Sequence, residues 1–477
     1  MPASSRQHPN IVLVMTDDQG AWALGASGNH EIVTPHLDRL AAEGTRFERF
    51  FCASPVCSPA RASFYTGLMP SAHGVHDWIS ARHIGPQGQD FLDGHELLTD
   101  VLAKNGYRCG LAGKWHLGAN DVPRPGFVHW FAHQSGSSAY TNAPIVRDGA
   151  LVDQPGYVTD AFTDEACAFI RREVERDREA PFFLALNYTA PHSPWKDQHP
   201  RRLLELYDDC AFETAPQAPP HPWARHTATG SPAEGEPDLR AALVGYYASI
   251  TGADEGVGRV LAELDRLGVR DDTLVVFTSD NGFSCGQHGF WGKGNGTNPQ
   301  NLYDSSILVP FIVNQPGRVP AGRLVSALVS AYDVKTTLLE HAGIDHPVEP
   351  RSPGRSFLDL IEGRDPDEVR ERVVVADEYG AARMIRTAGW KYIRRYPLGP
   401  DELYDLVNDP WERDNLVDDP VYAARVTQLA EELALWFAEY TDPLHDARAV
   451  SVSGLGQVEY DHLPGAFNQA LNQRVKS

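Results

Sequence analysis

Cysteine is scarce in this 477-residue chain: Cys52, Cys57, Cys109, Cys167, Cys210 and Cys285 form no CxxC pair and no regular spacing. That argues against a disulfide scaffold and against a zinc site. Long apolar runs are missing as well. No segment approaches the roughly 20 apolar residues of a membrane span, and the run from Ile11 to Met15 is too short for a signal-peptide core. A cytoplasmic location is the expectation, although a chain whose export signal had been removed would read the same way. Basic residues are outnumbered, 42 against 64 acidic, for a net charge of -22. This opposes general binding to nucleic acid or to anionic membrane, so any anionic substrate must meet a local basic pocket.

What the chain does have is the composition of a globular protein, 42% hydrophobic and 22% charged, with enough length for one large domain and a smaller one. Ile11-Val12-Leu13-Val14-Met15 is a continuous apolar run that stops at Thr16-Asp17-Asp18, the pattern of a fully buried strand with carboxylates at its carboxyl end. Thr34-Pro35 can cap and open a helix carrying Leu37, Leu40 and Ala41 on one face and ending at Gly44. The buried-run pattern recurs at 182–186, ahead of Asn187-Tyr188, and at 274–277, ahead of Ser279-Asp280-Asn281-Gly282. Leu239 to Leu267 is apolar at helical spacing, but Gly252, Gly256 and Gly258 weaken the case for one unbroken helix.

Strands ending in polar residues, with helices between them, predict an α/β fold: a large, doubly wound, mostly parallel sheet sandwiched by helices. The Pro/Gly-rich stretch 345–364 marks a boundary, giving a catalytic domain over 1–364 and a smaller α+β subdomain over 365–477. In the latter, 373–375, 384–387 and 391–394 read as short antiparallel strands, and 421–440 as a helix with Leu429, Leu433 and Phe437 on one side. The Pro-, Ala- and His-rich segment 214–236 reads as a long surface loop, and no internal repeat is visible.

Four local patterns carry chemistry. The most specific is Cys57-Ser58-Pro59-Ala60-Arg61, followed by Ala62 to Gly67. Chance yields about 0.04 matches to its Cys, Pro and basic positions in a chain of this composition. Taken alone it also fits a buried cysteine ahead of a helix start. Asp17-Asp18 and Asp280-Asn281 end two strands, and oxygen-only ligands of this kind suit a hard divalent cation, though Asp and Asn are also ordinary turn residues. In Gly113-Lys114-Trp115-His116-Leu117-Gly118, Lys114 can bind an oxyanion and His116 can exchange protons, whereas a lone Lys-x-His on a loop is usually just solvated. His192, after the second strand, and Lys293, in Trp291-Gly292-Lys293-Gly294, complete the set.

Together and in this order, these motifs resemble the sulfatase family of the alkaline-phosphatase-like superfamily, from Pro9-Asn10-Ile11 through Leu302-Tyr303-Asp304, with Glu402-Leu403-Tyr404-Asp405-Leu406 similar to the family's C-terminal subdomain. Two departures are visible. Cys109 stands where Ser or Thr is commoner, and the family's supporting serine or threonine has no clear match among Ser135, Ser137, Ser138 and Thr141.

The resemblance implies a sulfuric ester hydrolase whose Cys57 is converted by a formylglycine-generating enzyme to formylglycine. It implies that Asp17, Asp18, Asp280, Asn281 and residue 57 bind Ca²⁺, with Mg²⁺ the less favoured ion. It further implies that Arg61 and Lys114 stabilise the ionised aldehyde hydrate and that Lys114 and Lys293 neutralise sulfate oxygens. His116 would be the base that regenerates the aldehyde, and His192 the acid that protonates the departing alcohol. The substrate expected is a small sulfated molecule, a carbohydrate sulfate before an aryl sulfate. The competing readings are a phosphonate or phosphate monoester hydrolase of the same superfamily and, behind it, an inactive Ca²⁺-dependent glycan-binding relative. His73, His76, Trp78, Arg82 and His83 are candidates for the pocket rim, with Trp78 stacking on a sugar; packing under a surface loop is the alternative.

Overall fold

The computed structural model describes residues 8–80, 88–224, 239–364, 368–377, 381–446 and 456–457. Its centre is a ten-stranded sheet in the order Arg323–Val325, Thr45–Phe47, Phe311–Asn314, Thr273–Ser279, Asn10–Thr16, Phe182–Asn187, Arg108–Lys114, Phe127–His133, Pro144–Arg147 and Ala150–Asp153. The five strands from Thr273–Ser279 to Phe127–His133 run parallel; Phe311–Asn314 and the last two strands are antiparallel to their neighbours.

The run from Ile11 to Met15 shows why the central strand is apolar throughout. Alternate side chains point to opposite faces of a strand. Ile11, Leu13 and Met15 join one core layer with Phe64, Leu98, Val101, Val334 and Leu338, all on helices of that side. Val12 and Val14 join another with Leu37, Leu40, Phe162, Phe169, Val257 and Val260. A sheet covered on both faces has no position for a polar residue until it ends, and the polar residues accordingly begin at its carboxyl edge.

Two local expectations are corrected. Leu239–Leu267 is a single 29-residue helix despite its glycines. A Cβ at Gly256 would stand 2.2 Å from Tyr188 Oη, and one at Gly258 would stand 2.5 Å from the His36 ring. Those glycines therefore let neighbouring elements approach, and tertiary packing outweighs their cost of about 1 kcal/mol each in helix propensity. Thr34 does precede a helix, Pro35–Ala42, but its side chain makes no cap bond. Instead the Asp254 carboxylate, on the long helix, accepts from the N–H groups of His36 and Leu37. Of the expected loop 214–236, residues 225–236 lie outside the described residues.

The C-terminal part is a four-stranded antiparallel sheet, Arg372–Ala376, Ala382–Thr387, Trp390–Arg395 and Glu402–Asp405, backed by the helix Ala423–Tyr440. Leu429, Leu433 and Phe437 are the buried residues of that helix. Val373, Met384 and Ile393 pack with Phe51, Ala60 and Leu302, while Val374, Ile385 and Tyr392 pack with Ala53, Met69 and Tyr332. The small sheet shares its core with the segments on either side of Cys57. Among the described residues, no helix is long and apolar enough to cross a membrane.

Candidate active site

Parallel strands of a doubly wound sheet end on a common edge, and side chains just past those ends converge in the crevice above it. Asp17 and Asp18 follow Asn10–Thr16, Asp280 and Asn281 follow Thr273–Ser279, Asn187 ends Phe182–Asn187, and Lys114 ends Arg108–Lys114. Lys114 is thus a strand residue with no solvent exposure, where the sequence pattern alone favoured a solvated loop. Facing this edge is the helix Cys57–Thr66, every residue of which is buried. Cys57 is its first residue, so the thiol sits at the end of the helix that favours negative charge.

The side chains interlock. Cys57 Sγ lies 2.7 Å from Lys293 Nζ and 3.3 Å from Asp17 Oδ1. Lys114 Nζ pairs with Asp17 Oδ2 at 2.5 Å, and Lys293 Nζ with Asp18 Oδ1 at 2.5 Å. Arg61 Nε donates to Asp280 Oδ2 at 2.8 Å, and its Nη1 donates to the Lys114 carbonyl at 2.9 Å. Asp18 adopts a left-handed φ of 68°, held by its own N–H to Asp280 Oδ1 and by Tyr246 Oη donating to its carbonyl. His192 Nε2 is 3.7 Å from Asp18 Oδ2, while its Nδ1 is 2.7 Å from the Ser193 carbonyl. His116 Nε2 is 2.8 Å from the Ile79 carbonyl, leaving Nδ1 buried with no partner among the described residues.

Burial in this charged setting moves the protonation equilibria apart. Burial opposes ionisation of Asp17, but Lys114, His192, Lys293 and Arg61 hold its carboxyl well below the usual carboxylate range. Burial and the Asp17 charge push Asp280 up to about 6. The same two causes push the Cys57 thiol up to about 12, so the unmodified side chain is not a thiolate at neutral pH. Against the cost of burial, Asp18, Cys57 and Asp17 hold Lys293 well above its ordinary value. Burial depresses both His192 and His116, the latter also through Lys114.

The donor set fits a hard divalent cation. Carboxylate oxygens of Asp17, Asp18 and Asp280 lie within 4.8 Å of one another, and Asn281, whose Nδ2 donates to Asp18 Oδ1 at 2.6 Å, keeps a buried Oδ1 without a hydrogen-bond partner among the described residues. An amide oxygen kept dry and unbonded is costly unless something else fills its lone pairs. With no sulfur or imidazole in that carboxylate group, zinc and copper are not favoured. Asp17, Cys57 and His192 form a second, overlapping group.

Some sequence expectations do not reach the site. His73 is buried and its Nε2 is 3.0 Å from Ser63 Oγ, while His76 is buried with its Nε2 2.9 Å from the His445 carbonyl. Both stabilise the loop after the Cys57 helix and line no rim. Trp78 is half-buried, and Arg82 and His83 lie outside the described residues. Conversely, sequence reasoning missed Asn187, whose Nδ2 donates to the Lys114 carbonyl and whose Oδ1 is buried without a partner among the described residues. It missed His133 too, which is paired in register with Lys114 on the next strand. A signal existed for each: Asn187 ends a buried apolar run, and His133 follows the aromatic run Trp130-Phe131.

Known proteins supply the family. The sulfatase family model matches residues 9–344, and the model described as N-sulphoglucosamine sulphohydrolase, C-terminal, matches residues 286–438. An ulvan-active sulfatase of Formosa agariphila is 30% identical over 455 residues, covering 91% of this chain and 82% of that protein. An N-acetylglucosamine-6-O-sulfatase of Bacteroides thetaiotaomicron is 26% identical over 514 residues, covering 91% and 87%. A solved structure of a protein in complex with its substrate, D-glucosamine-2-N, 6-O-disulfate, superposes with a TM-score of 0.76 at 24% identity, covering 93% of this chain and 100% of that one. With its Cys57 signature seated at the carboxyl edge of this sheet and the family model spanning most of its length, the chain belongs to the sulfatase family, the hydrolases of sulfate esters.

Proposed function

We propose that this sulfatase cleaves a sulfate monoester of a carbohydrate, using formylglycine made from Cys57 and a Ca²⁺ ion held by Asp17, Asp18, Asp280, Asn281 and residue 57, with Mg²⁺ the less favoured occupant. The observation that carries this reading is the environment of Cys57 Sγ: it is buried at a helix N-terminus, 2.7 Å from one ammonium and 3.3 Å from a carboxylate of a dry all-oxygen cluster. A thiol pushed up to about 12 is a poor nucleophile there, whereas a hydrated aldehyde offers two hydroxyls on one carbon, one to attack sulfur and one whose deprotonation releases the product. When bound there, the ion would supply Lewis acidity to the ester.

The chain's own groups do the rest. Lys114 and Lys293 place two ammonium groups at the nucleophile and neutralise sulfate oxygens; Arg61, fixed by Asp280 and the Lys114 carbonyl, keeps a buried Nη2 with no partner among the described residues for the developing charge. His116 is held through Nε2, so Nδ1 is the atom that accepts a proton. His192 is held through Nδ1, so Nε2 is the atom that takes up a proton to form the imidazolium and then delivers it to the leaving oxygen. Cys57 is only 3% exposed, so the formylglycine-generating enzyme must meet this segment before the chain folds.

The test is direct. Turnover of nitrophenyl sulfate is expected to exceed that of a phenylphosphonate ester, and the reverse order would assign the chain to phosphonate hydrolysis. The Cys57 peptide is expected to weigh about 18 Da less than the thiol form. Full activity with wholly unmodified Cys57 would refute the nucleophile. Metal analysis is expected to find calcium.

A further inference from the structure

A second cavity, of about 730 Å³, lies between the segment 216–223, the hairpin that precedes Lys293, and the C-terminal sheet. That is within the roughly 300–1,000 Å³ of small-molecule sites. Its lining combines His221, Trp223, His288, Tyr303 and Tyr404 with the Gln287 amide. The rings are rigidly held. His288 stacks on Tyr303 at 4.2 Å and 10°, and His221 Nδ1 accepts the Trp223 N–H, leaving Nε2–H for Tyr303 Oη at 3.0 Å.

Gln287 is 9% exposed, and its orientation is fixed because Oε1 accepts from the Cys285 N–H at 2.6 Å and from Ser284 Oγ at 3.2 Å. Its Nε2 is left buried without a partner among the described residues. An unmatched donor in a dry wall is costly unless a ligand oxygen meets it. The carboxylates of the wall face cations, with Arg395 Nη2 2.7 Å from Glu402 Oε2 and Lys391 paired with Glu412, while Arg413 lines the cavity as an exposed guanidinium. Burial also keeps His221 and His288 below their ordinary values, so both rings stay neutral at pH 7.

A neutral ligand with an apolar face and acceptor oxygens satisfies these requirements, and a sugar ring has both. We propose that this cavity binds an unsulfated sugar residue of the glycan whose sulfate is hydrolysed at Cys57. The Ser284–Cys285 and Trp291–Gly292 strands pair directly ahead of Lys293, so one hairpin carries both Gln287 and the catalytic lysine. Its tip is pressed against the segment 216–223: Gly289, at φ 75°, leaves no room for a Cβ, which would stand 1.8 Å from the Pro219 carbonyl oxygen. The link to the substrate rests on the carbohydrate-sulfatase reading; the cavity's preference for a neutral sugar does not.

Saturation-transfer NMR of the full chain with cellobiose, lactose and chitobiose tests it. Transfer from at least one disaccharide is expected, with affinity falling about tenfold or more in Gln287→Glu, which keeps the Oε1 acceptor and deletes the donor, and in Trp223→Ala. No transfer from any of the three, or transfer equal in wild type and both variants, overturns the proposal. Nitrophenyl sulfate turnover in the same samples separates the two readings. Turnover without variant-sensitive transfer sinks the cavity alone, and variant-sensitive transfer without turnover sinks the sulfatase mechanism and the substrate link.

Discussion

Two charge clusters among the described residues differ in how their charges are arranged. At the edge of the large sheet, Asp17, Asp18 and Asp280 face Lys114, Lys293 and Arg61, yet Asn281 Oδ1, Arg61 Nη2 and His116 Nδ1 remain without hydrogen-bond partners among the described residues. Where the C-terminal sheet meets the catalytic part, Lys391 reaches Asp304, Glu412 and the Leu302 carbonyl, and Arg386 reaches Asp304. In that second cluster every charge has an opposite partner across the joint, and Arg386 Nε and Glu412 Oε1 are the atoms left without a hydrogen bond among the described residues. Buried ion pairs add little net stability but are expensive to break, so the second cluster fixes how the two parts dock. The first gathers three carboxylates beside unbonded donor and acceptor atoms, as the proposed ion and oxyanion require.

Substitutions that break one cluster and spare the other sharpen this contrast. The largest effect is expected from Asp17→Asn: loss of bound metal and a fall of more than about 10⁴-fold in kcat for nitrophenyl sulfate. Retained calcium by elemental analysis, or near-normal turnover, would contradict the assignment. Next is His192→Ala. A sugar alkoxide needs a proton to leave, worth roughly 10²- to 10⁴-fold, whereas nitrophenolate leaves unaided. Single-turnover rates should therefore drop steeply on a sugar sulfate and much less on nitrophenyl sulfate; equal losses would make His192 a positioning residue.

Lys391→Met strikes the other cluster. It strands the buried Glu412 carboxylate and leaves the half-buried Asp304 with Arg386 alone, and a stability loss of about 3–5 kcal/mol is expected in denaturant titration, with metal content per folded molecule preserved. A change below about 1 kcal/mol would mean the joint is held by apolar packing alone. The smallest effect is a pH dependence within the C-terminal sheet. Burial pushes Asp377 up to about 8, opposed by the Ala382 N–H, Arg395 and Arg383, and its Oδ2 has no hydrogen-bond partner among the described residues. A raised folded-state value means that this group's contribution is fully present below its unfolded value near 3.8 and is lost as pH rises through about 8. Relative to Asp377→Asn, the wild type should lose stability as pH rises from 6 to about 8 and level off above it. Parallel curves for the two proteins would show that Asp377 does not titrate in that window.

The strand ends, the nucleophile signature and the C-terminal helix face were legible in the sequence because each is a local property. A doubly covered strand must be apolar until it ends, and a helix packed on one side repeats its apolar residues every three or four positions. Lys114 shows the limit. The residues around it read as an exposed loop, and only the strand beside it and Asp17 opposite turn it into a buried ammonium. Among the rim candidates, His73 and His76 failed for the same reason. Histidine and tryptophan suit a binding lip and a packed loop equally well, and the contacts of His73 and His76 with Ser63 and His445 decided for packing.

What the sequence determined by itself was the layered α/β architecture and the kinds of side chain available at each strand end, since periodicity and residue chemistry act over a few residues. Only the tertiary structure decided which of those ends meet. Asp17 and Asp280 are separated by 263 positions but extend adjacent strands in register. Distance in space between residues far apart in the chain is set by sheet order and packing, which no local pattern encodes.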